Sequence, residues 1–539
     1  MEEQLPSQKK SFFRRESLYL VVVLIAAIIV GVLVIFRLNT TSTTTQSADY
    51  VENLPKDQVT VGVLGTISGL YPTVPFDVDS TSINSNMFEG LTQIRNGRLE
   101  PALAESWTNP DNLTWRIKLR SDAKFHNGEA LEASDVKYTI EEAKKHEDWR
   151  DGVLNSIAAR IDRVEVVDEA TVQLQTKTPD ATLLYWLVFL FILSEDQIKK
   201  DGLDKAVGTG PYKLVSINEK QITLQANNDY WAGAPKVKKL VYKTFEDDEA
   251  LAGGLESGEV DLALLFVTTH NSRLEKKGFR IVSVRSGDIT FFGFDINSKK
   301  AAHVNTETNP FASLDVRKAI LLAIDINKAL EATNVEGKPV SQFAVPELIG
   351  YNRSLKRPVT NITEAKNLLV KAGFPDGFKV TLDIDEPSKR LGEEVKKQLA
   401  QINIEVELNT YTDFQSYFER LTTDSSFFAL AYAPDTLDSV DLLESFFHTD
   451  GFNNLKGFSD KDIDSLLEKA LSTFNTAERA KLTQEIHKAV MEKLPSIPFY
   501  TRVDHYVIKD DVAFKPAPPF SFLSGYEISG RQKATEVSQ

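Results

Sequence analysis

The sequence predicts an α/β protein of several domains that follows a single transmembrane helix, and three observations lead to this prediction. A run of 19 residues without a charged side chain, Leu18 to Phe36, lies near the N-terminus. Beyond residue 57, segments such as QVTVGVL alternate apolar residues and so indicate β-strands, whereas DVRKAILLAIDINKAL has the apolar spacing of a helix. Strand and helix patterns alternate through the second half of the chain, which is typical of α/β construction.

The first 56 residues divide into three predicted segments. At about 1.5 Å per residue, a helix over the apolar run spans nearly the ~30 Å hydrocarbon core of a bilayer. Four basic residues precede this run, namely Lys9, Lys10, Arg14 and Arg15. They predict a cytoplasmic segment at 1–17, a transmembrane helix at 18–38 and an extracellular or periplasmic body, with the threonine-rich residues 39–56 as a flexible linker. Because the run is longer than the apolar core of a signal peptide and no small-residue cleavage site follows it, a retained helix is favoured over a cleaved signal peptide.

Composition excludes several classes of protein. The chain has no cysteine, which rules out disulfides, thiol catalysis and attachment through a lipidated cysteine. Its net charge is −15, and because residues 1–38 carry +2, the remaining residues carry −17. Such an acidic surface argues against nucleic acid as a partner and against binding flat on anionic lipid. With 539 residues, the chain is long enough for about three or four domains.

The sequence motifs of common enzyme classes are absent. There is no phosphate-binding P-loop, no dinucleotide-binding glycine fingerprint, no nucleophile elbow and no H-E-x-x-H zinc motif. The seven histidines are scattered, without a pair at metal-ligand spacing. We therefore expect no enzyme activity, no bound metal and no cofactor.

Residues 181–193, ATLLYWLVFLFIL, are the second strongly apolar segment. They are too few to span a bilayer comfortably. The sequence therefore favours a buried core helix here over a re-entrant membrane segment.

Several short blocks follow one another in a fixed order along the chain. They are FEGL (88–91), LEPALAESW (99–107), TWRIKLRSDAKFHNGEALEASDVKYTI (114–140), GTGPYKL (208–214), NNDYWAGAPKVKKLVY (227–242), LESGEVDLAL (255–264), FFGFDINS (291–298), DVRKAILLAIDINKAL (315–330) and TEAKNLLVKAGFPDGF (363–378). With these blocks, the chain resembles the extracellular solute-binding proteins of family 5, the peptide and oligopeptide receptors of ABC importers. The resemblance extends over nearly all of residues 57–525.

The resemblance implies a two-lobed fold like that of the periplasmic binding proteins (type II), with an extra inserted domain. Mapped onto this chain, a discontinuous lobe I takes residues 57–75, 179–286 and 499–528. The inserted domain takes residues 76–178, and lobe II takes residues 287–498. The ligand is then expected in the cleft between the lobes, which closes by a hinge motion.

The resemblance also implies one charged ligand contact. Peptide-binding members carry an acidic residue shortly after a strand resembling GWxAD, and it pairs with the α-ammonium of the ligand. Here the strand is FFALAYAPD, the matching residue is Asp435, and Ala431-Tyr432 replaces the usual Gly-Trp. The alternative is that Asp435 is an exposed loop acid or a helix cap. Three further candidates for the cleft have a polar tip on an aromatic ring: Tyr71, Tyr351 and Tyr432.

From this resemblance we expect a membrane-tethered, monomeric binding protein that captures peptides and delivers them to the permease and ATPase subunits of an ABC importer. Two alternatives stay open. The ligand is a different small solute, or the protein is a surface sensor or chaperone that uses the same cleft without transport.

Overall fold

A computed structural model describes residues 50–65, 70, 78–145, 153–202, 207–265, 268–333, 335–516, 519–520 and 523–533. The predicted transmembrane helix at 18–38 and the candidate Tyr71 lie outside these residues. Within them, no helix combines the length and apolar character needed to cross a membrane. The end of the predicted linker is regular in the structure, because residues 50–54 form a β-strand.

The strands are β1 (Tyr50–Leu54), β2 (Lys56–Leu64), β3 (Thr92–Arg95), β4 (Arg98–Pro101), β5 (Ala104–Asp111), β6 (Thr114–Leu119), β7 (Ile161–Asp168), β8 (Thr171–Thr176), β9 (Tyr212–Asn218), β10 (Gln221–Ala226), β11 (Val237–Phe245), β12 (Leu262–Leu265), β13 (Arg280–Arg285), β14 (Ile289–Phe294), β15 (Gly337–Pro339), β16 (Phe378–Asp385), β17 (Ile404–Tyr411), β18 (Phe427–Tyr432), β19 (Ser496–Ile508), β20 (Val512–Ala513) and β21 (Ser529–Lys533).

The α-helices are α1 (Val78–Asn84), α2 (Ala133–Lys145), α3 (Val153–Arg160), α4 (Leu183–Trp186), α5 (Glu195–Asp201), α6 (Asp248–Ser257), α7 (Asn271–Lys276), α8 (Leu314–Ala323), α9 (Ile326–Glu331), α10 (Ile362–Lys371), α11 (Lys389–Ala400), α12 (Phe414–Thr423), α13 (Ser439–Phe447), α14 (Lys461–Leu471) and α15 (Thr476–Lys493). Short 3-10 helices lie at Pro310–Ala312, Glu386–Ser388 and Gly525–Glu527.

The chain forms two units, of which the larger comprises residues 53–530. In the smaller unit, the described residues are 50–52 and 531–533. There the Arg531 guanidinium lies 3.6 Å from the ring centre of Tyr50 and 3.4 Å from a carboxylate oxygen of Glu52. The main sheet and the candidate site lie in the larger unit.

One mixed sheet runs through the larger unit in the order β17-β16-β18-β14-β19-β12-β2-β11-β10-β9, while β13 and β15 also pair with β19. Strand β19 is shared along its length. Its residues 496–502 pair with β14 and β15, and its residues 503–508 pair with β12 and β13. This arrangement is the one that two lobes joined by a common strand would produce. The lobe boundaries themselves remain a prediction.

The central strands β14 and β19 are buried on both faces, whereas the edge strands β9 and β17 are partly exposed. Eleven of the 13 residues of β19 are buried, and the two exceptions are Ser496 and Arg502. Phenylalanine rings fill the core around β14. The ring of Phe292 lies 4.9 Å from that of Phe499, and the ring of Phe294 stacks on that of Phe427 at 5.3 Å. A separate antiparallel sheet, β5-β6-β8-β7, is covered by α2.

The apolar segment 181–193 is buried as expected, but the prediction of a helix through it is wrong. Only Leu183–Trp186 is helical. The later backbone groups bond to the FEGL block instead of to each other: Leu91 N–H donates to the Leu187 carbonyl at 3.0 Å, and Ile192 N–H donates to the Glu89 carbonyl at 3.0 Å. Gly90 permits this close crossing, because a Cβ there would lie 2.2 Å from the Leu187 oxygen.

A buried ion pair joins α13 to α15. Arg479 Nε donates to Asp438 Oδ2 at 2.7 Å, and the two side chains are 1% and 0% exposed. Arg479 also donates to the carbonyl of Thr473 at 2.9 Å, while Asp438 caps α13 by accepting from the N–H of Val440. Removing one partner of such a pair leaves an uncompensated buried charge.

We therefore expect Arg479→Ala to lower the free energy of unfolding by about 3–5 kcal/mol. Urea denaturation followed by circular dichroism measures the change. The matched control is Lys488→Ala on the same helix, whose partner Glu492 lies 3.8 Å away and is 66% exposed. Lys488→Ala should lower the free energy of unfolding by no more than about 0.5 kcal/mol. Equal small losses in the two variants would contradict the structural role of the pair.

Candidate functional site

The structure brings two of the predicted site residues into contact. Tyr432 ends β18, and Asp435 follows in the loop that leads to α13. The Tyr432 hydroxyl donates to Asp435 Oδ2 at 2.8 Å and accepts from the side-chain amide of Asn453 at 3.3 Å. The Tyr432 ring packs edge-on against Phe446, with 4.8 Å between ring centres. Packing and hydrogen bonding thus fix the side chain beside Asp435.

Asp435 is neither an exposed loop acid nor the cap of α13. It is half-buried, and the residue that caps α13 is Asp438. Burial raises the pKa of Asp435, while the Tyr432 hydroxyl and the positive charge of Arg160 act in the opposite direction. Within the described part of the chain, Asp435 Oδ1 makes no hydrogen bond, so one carboxylate oxygen is available to a ligand.

Tyr351 lies on a loop that is joined to the Asp435 loop through the backbone. Ile349 N–H donates to the Leu437 carbonyl at 2.9 Å, and Ser439 N–H donates to the Ile349 carbonyl at 3.1 Å. Tyr351 is half-buried and packs on the same apolar cluster as Tyr432. No hydrogen bond joins its side chain to Tyr432 or Asp435 among the residues that the structure describes. The fourth candidate, Tyr71, is outside those residues.

An arginine that sequence reasoning missed lies beside this loop. Arg160 ends α3, and its guanidinium donates to Asp180 Oδ2 at 2.9 Å. The same group stacks over the ring of Trp186 at 4.1 Å. Trp186 is buried, and its indole N–H has no hydrogen-bond partner among the residues that the structure describes. No sequence motif marks Arg160 or Trp186, because each takes its role from residues that are distant in the chain.

Carboxyl groups outnumber this one guanidinium. Arg160 interacts electrostatically with Asp180, Asp441 and Glu444, as well as with Asp435. Burial raises the pKa of Asp441 to about 7, with Arg160 opposing the rise and Asp180 adding to it. Burial likewise raises the pKa of Glu444. The cluster therefore has more carboxyl groups than cationic groups. A second cationic group placed among these carboxyl groups would be stabilised.

Thr182 links two of the acids. Its hydroxyl lies 2.8 Å from Asp180 Oδ1 and 2.7 Å from Asp441 Oδ1. Since a hydroxyl has one proton, it donates to one carboxylate and accepts from the other, which requires a protonated partner. The raised pKa of Asp441 makes it that partner. Residues 160, 180 and 182 are thereby joined to α13, more than 250 residues later in the chain.

A cavity of about 610 Å³ is the second feature of the site. Its volume falls in the range of about 300–1,000 Å³ that is usual for small-molecule sites. Its described walls include seven aromatic side chains, those of Phe88, Phe189, Phe191, Tyr230, Phe514, Phe520 and Tyr526. Phe88 and Phe191 stack with 6.4 Å between ring centres, and Phe189 meets Phe520 edge-on at 6.5 Å.

One buried carboxyl group lies in the wall of this cavity. Glu89, from the FEGL block, accepts hydrogen bonds from the hydroxyls of Thr209 at 2.8 Å and Tyr230 at 2.7 Å, and from the indole of Trp231 at 3.0 Å. Burial raises the pKa of Glu89 to about 7 against the effect of these donors and of Arg120. The donors come from the GTGPYKL and NNDYWAGAPKVKKLVY blocks. Together with FEGL, three of the sequence blocks that carry the family resemblance therefore meet at this side chain.

A two-part sheet around one shared strand, with an acidic cluster and a large cavity, defines a solute-binding protein. The chain belongs to the bacterial extracellular solute-binding proteins of family 5, whose model for the middle region matches residues 98–454. The predicted family is therefore confirmed. Members of this family are the solute-binding proteins of ABC importers and not enzymes, as expected from the absence of catalytic motifs.

Individual relatives are distant but extend over most of the chain. Heme-binding protein A of Haemophilus influenzae is 25% identical over 84% of this chain and 89% of its own length. Glutathione-binding protein GsiB of Salmonella paratyphi A is 25% identical over 83% of this chain and 89% of its own length. The periplasmic binding protein DppA of Helicobacter pylori, solved in complex with the peptide STSA, is 22% identical and superimposes with a TM-score of 0.74 over 88% of this chain and 98% of its own.

We expect Glu89 to make stability depend on pH. An unfolded glutamate ionises near pH 4.3, whereas the folded pKa of Glu89 is about 7, so the folded state binds the extra proton between these values. The contribution of Glu89 to stability is therefore complete below about pH 4 and is lost as the pH rises to about 7. Glu89→Gln cannot ionise at this position. Its free energy of unfolding should therefore rise relative to that of the wild type between pH 5 and pH 8.

Urea denaturation at several pH values measures this difference. The relative gain of Glu89→Gln should be on the order of a few kcal/mol. Glu307→Gln, at an exposed position, is the control and should keep the pH dependence of the wild type. A constant difference between Glu89→Gln and the wild type across the range would contradict the assignment.

Proposed function

We propose that this protein captures peptides outside the cytoplasm and delivers them to the permease of an ABC importer. The observation that carries the proposal is the half-buried carboxylate of Asp435, whose Oδ1 is available in a cluster that is short of positive charge. The α-ammonium of a peptide supplies that charge. An ion pair with a charged hydrogen bond compensates both groups for the loss of water.

The relatives support the same chemical class of ligand. Glutathione-binding protein GsiB is named for a peptide-like solute, and DppA was solved with a four-residue peptide. Glutathione and the four-residue peptide each have a free ammonium group, which is the feature that Asp435 would recognise. The ligand of heme-binding protein A belongs to another chemical class, so the identity of the bound solute is the first quantity to measure.

We propose further that residues 18–38 form a retained transmembrane helix with residues 1–17 in the cytoplasm. The uncharged run Leu18 to Phe36 and the basic residues before it support this anchor. A cysteine-free chain has no site for a lipid anchor of the cysteine-linked type. A tether holds the binding domain near its permease and raises the effective concentration for their encounter.

The two predicted lobes would close on the ligand. In this proposal, lobe I takes residues 57–75, 179–286 and 499–528, lobe II takes residues 287–498, and residues 76–178 form the inserted domain. The division of β19 between two sets of strands supports this assignment. Asp180, on one side, is already joined to Asp441, on the other, through the hydroxyl of Thr182, and opening of the cleft would separate them.

Mass spectrometry of the small molecules released from the purified full-length chain tests the ligand class. Denaturing the protein after gentle purification should release a mixture of short peptides with free N-termini. A protein sample denatured after prior ligand removal is the control. Recovery of one non-peptide compound, such as a porphyrin, would contradict the proposal that the ligand is a peptide.

The role of Asp435 is tested by one substitution and two forms of one peptide. Asp435→Asn should weaken the binding of a peptide with a free amine by about 10- to 100-fold, because the charged hydrogen bond is lost. The N-acetylated form of the peptide has no ammonium, and its affinity should change little. Isothermal titration calorimetry measures both.

The control variant is Asp376→Asn, at an exposed position before β16, which should bind both peptides like the wild type. Equal losses of affinity for the free and acetylated peptides in Asp435→Asn would reject the ammonium contact.

A further inference from the structure

The aromatic cavity offers a ligand mainly apolar surface. Its partly exposed apolar side chains are Ile94, Val188, Phe520 and Tyr526, whereas Phe88, Phe189 and Phe191 are nearly fully buried at 1%, 4% and 6% exposed. Phe520 is half-buried, so part of its ring is open to a ligand. A volume of about 610 Å³ is several times that of one aromatic side chain. The cavity therefore has room for more than one bulky apolar group.

Most charged groups in the wall are already paired with protein groups. Arg95 lies 3.6 Å from the carboxylate of Glu527 and contacts the ring of Tyr526. Glu347 accepts from Arg285 at 3.2 Å. Glu89 is enclosed by three donors. Lys515, also in the wall, is exposed. Since the other charged groups are paired within the protein, the partly exposed apolar side chains of the wall favour a bulky apolar group of the ligand.

The cavity lies within the reach of a peptide that starts at Asp435. Glu347 lines the cavity and is two residues from Ile349, whose N–H donates to the carbonyl of Leu437 at 2.9 Å. Leu437 is in turn two residues from Asp435. With about 3.8 Å between successive Cα atoms, this path places Asp435 within about 20 Å of the cavity wall. An extended peptide of about six residues spans that distance.

We infer that the protein selects peptides with bulky apolar side chains, which occupy the aromatic cavity while the N-terminus lies at Asp435. This inference rests on the proposed peptide-binding function and names the class of peptide. Burying a phenylalanine side chain in such a cavity gains about 10- to 100-fold in affinity over alanine. Specificity then comes from the cavity, and the requirement for a free N-terminus comes from the acidic cluster.

The test uses the full-length chain in lipid nanodiscs after bound ligand has been removed by partial unfolding and refolding. The probes are hexaalanine and five hexapeptides in which one alanine, at position two to six, is replaced by phenylalanine. Isothermal titration calorimetry gives each affinity. At least one phenylalanine peptide should bind about 10- to 100-fold more tightly than hexaalanine.

The variant Phe520→Ala should reduce this ratio of affinities at least about fivefold, because it removes a ring from the cavity wall. Ile94→Ala, at a half-buried wall position on β3, provides a second variant should the first fold poorly. The control is Phe414→Ala, which removes a ring that is 68% exposed on α12 and should leave the ratio unchanged.

Two results would overturn the inference in different ways. If hexaalanine and all five phenylalanine peptides bind equally, the cavity does not select apolar side chains, while peptide capture itself stands. If none of the six peptides binds, peptide capture fails and the inference fails with it.

Discussion

Strand β19 pairs along its first half with β14 and β15 and along its second half with β12 and β13, so that one continuous strand belongs to both parts of the main sheet. The chain passes between the parts again at residues 285–289, between β13 and β14. Two neighbouring connections of this kind allow a hinge motion while they fix its position. Strand β18, which leads to Asp435, pairs with β14 and so lies one strand away from β19.

Charged groups secure the strand where its pairing changes. Arg502 Nε donates to Asp504 at 2.6 Å, and its Nη2 lies 2.9 Å from Asp288 in the neighbouring connection. Asp504 is fully buried, and such a carboxylate requires a close cationic partner. The ion pair between Arg502 and Asp288 thus ties the two connections together, and in the proposed closure the two parts of the sheet would rotate about them.

The candidate site combines two kinds of chemistry on this scaffold. Around Arg160, carboxyl groups outnumber cations, and burial raises the pKa values of Asp435, Asp441 and Glu444 while Arg160 opposes the rise. In the cavity, the partly exposed wall includes the apolar side chains of Ile94, Val188, Phe520 and Tyr526, and most charged groups are paired within the protein. One region therefore favours a ligand ammonium, and the other favours apolar side chains.

The sequence predicted the α/β class and the family, because both depend on local patterns and on blocks that stay contiguous in the chain. Asp435 could be proposed as a site residue because it follows a recognisable strand. Arg160, Trp186 and Asp441 were missed, since Thr182 meets Asp441 across 259 positions and no local pattern records such a contact. The predicted helix at 181–193 failed for a related reason: the FEGL block supplies the hydrogen-bond partners that a helix would have supplied internally.

The most direct measurement is a crystal structure of the protein with a bound apolar hexapeptide. We expect the α-nitrogen of the peptide within about 3 Å of Asp435 Oδ1 and at least one apolar side chain against Phe520. A peptide whose N-terminus points to solvent, away from Asp435, would contradict the ammonium contact.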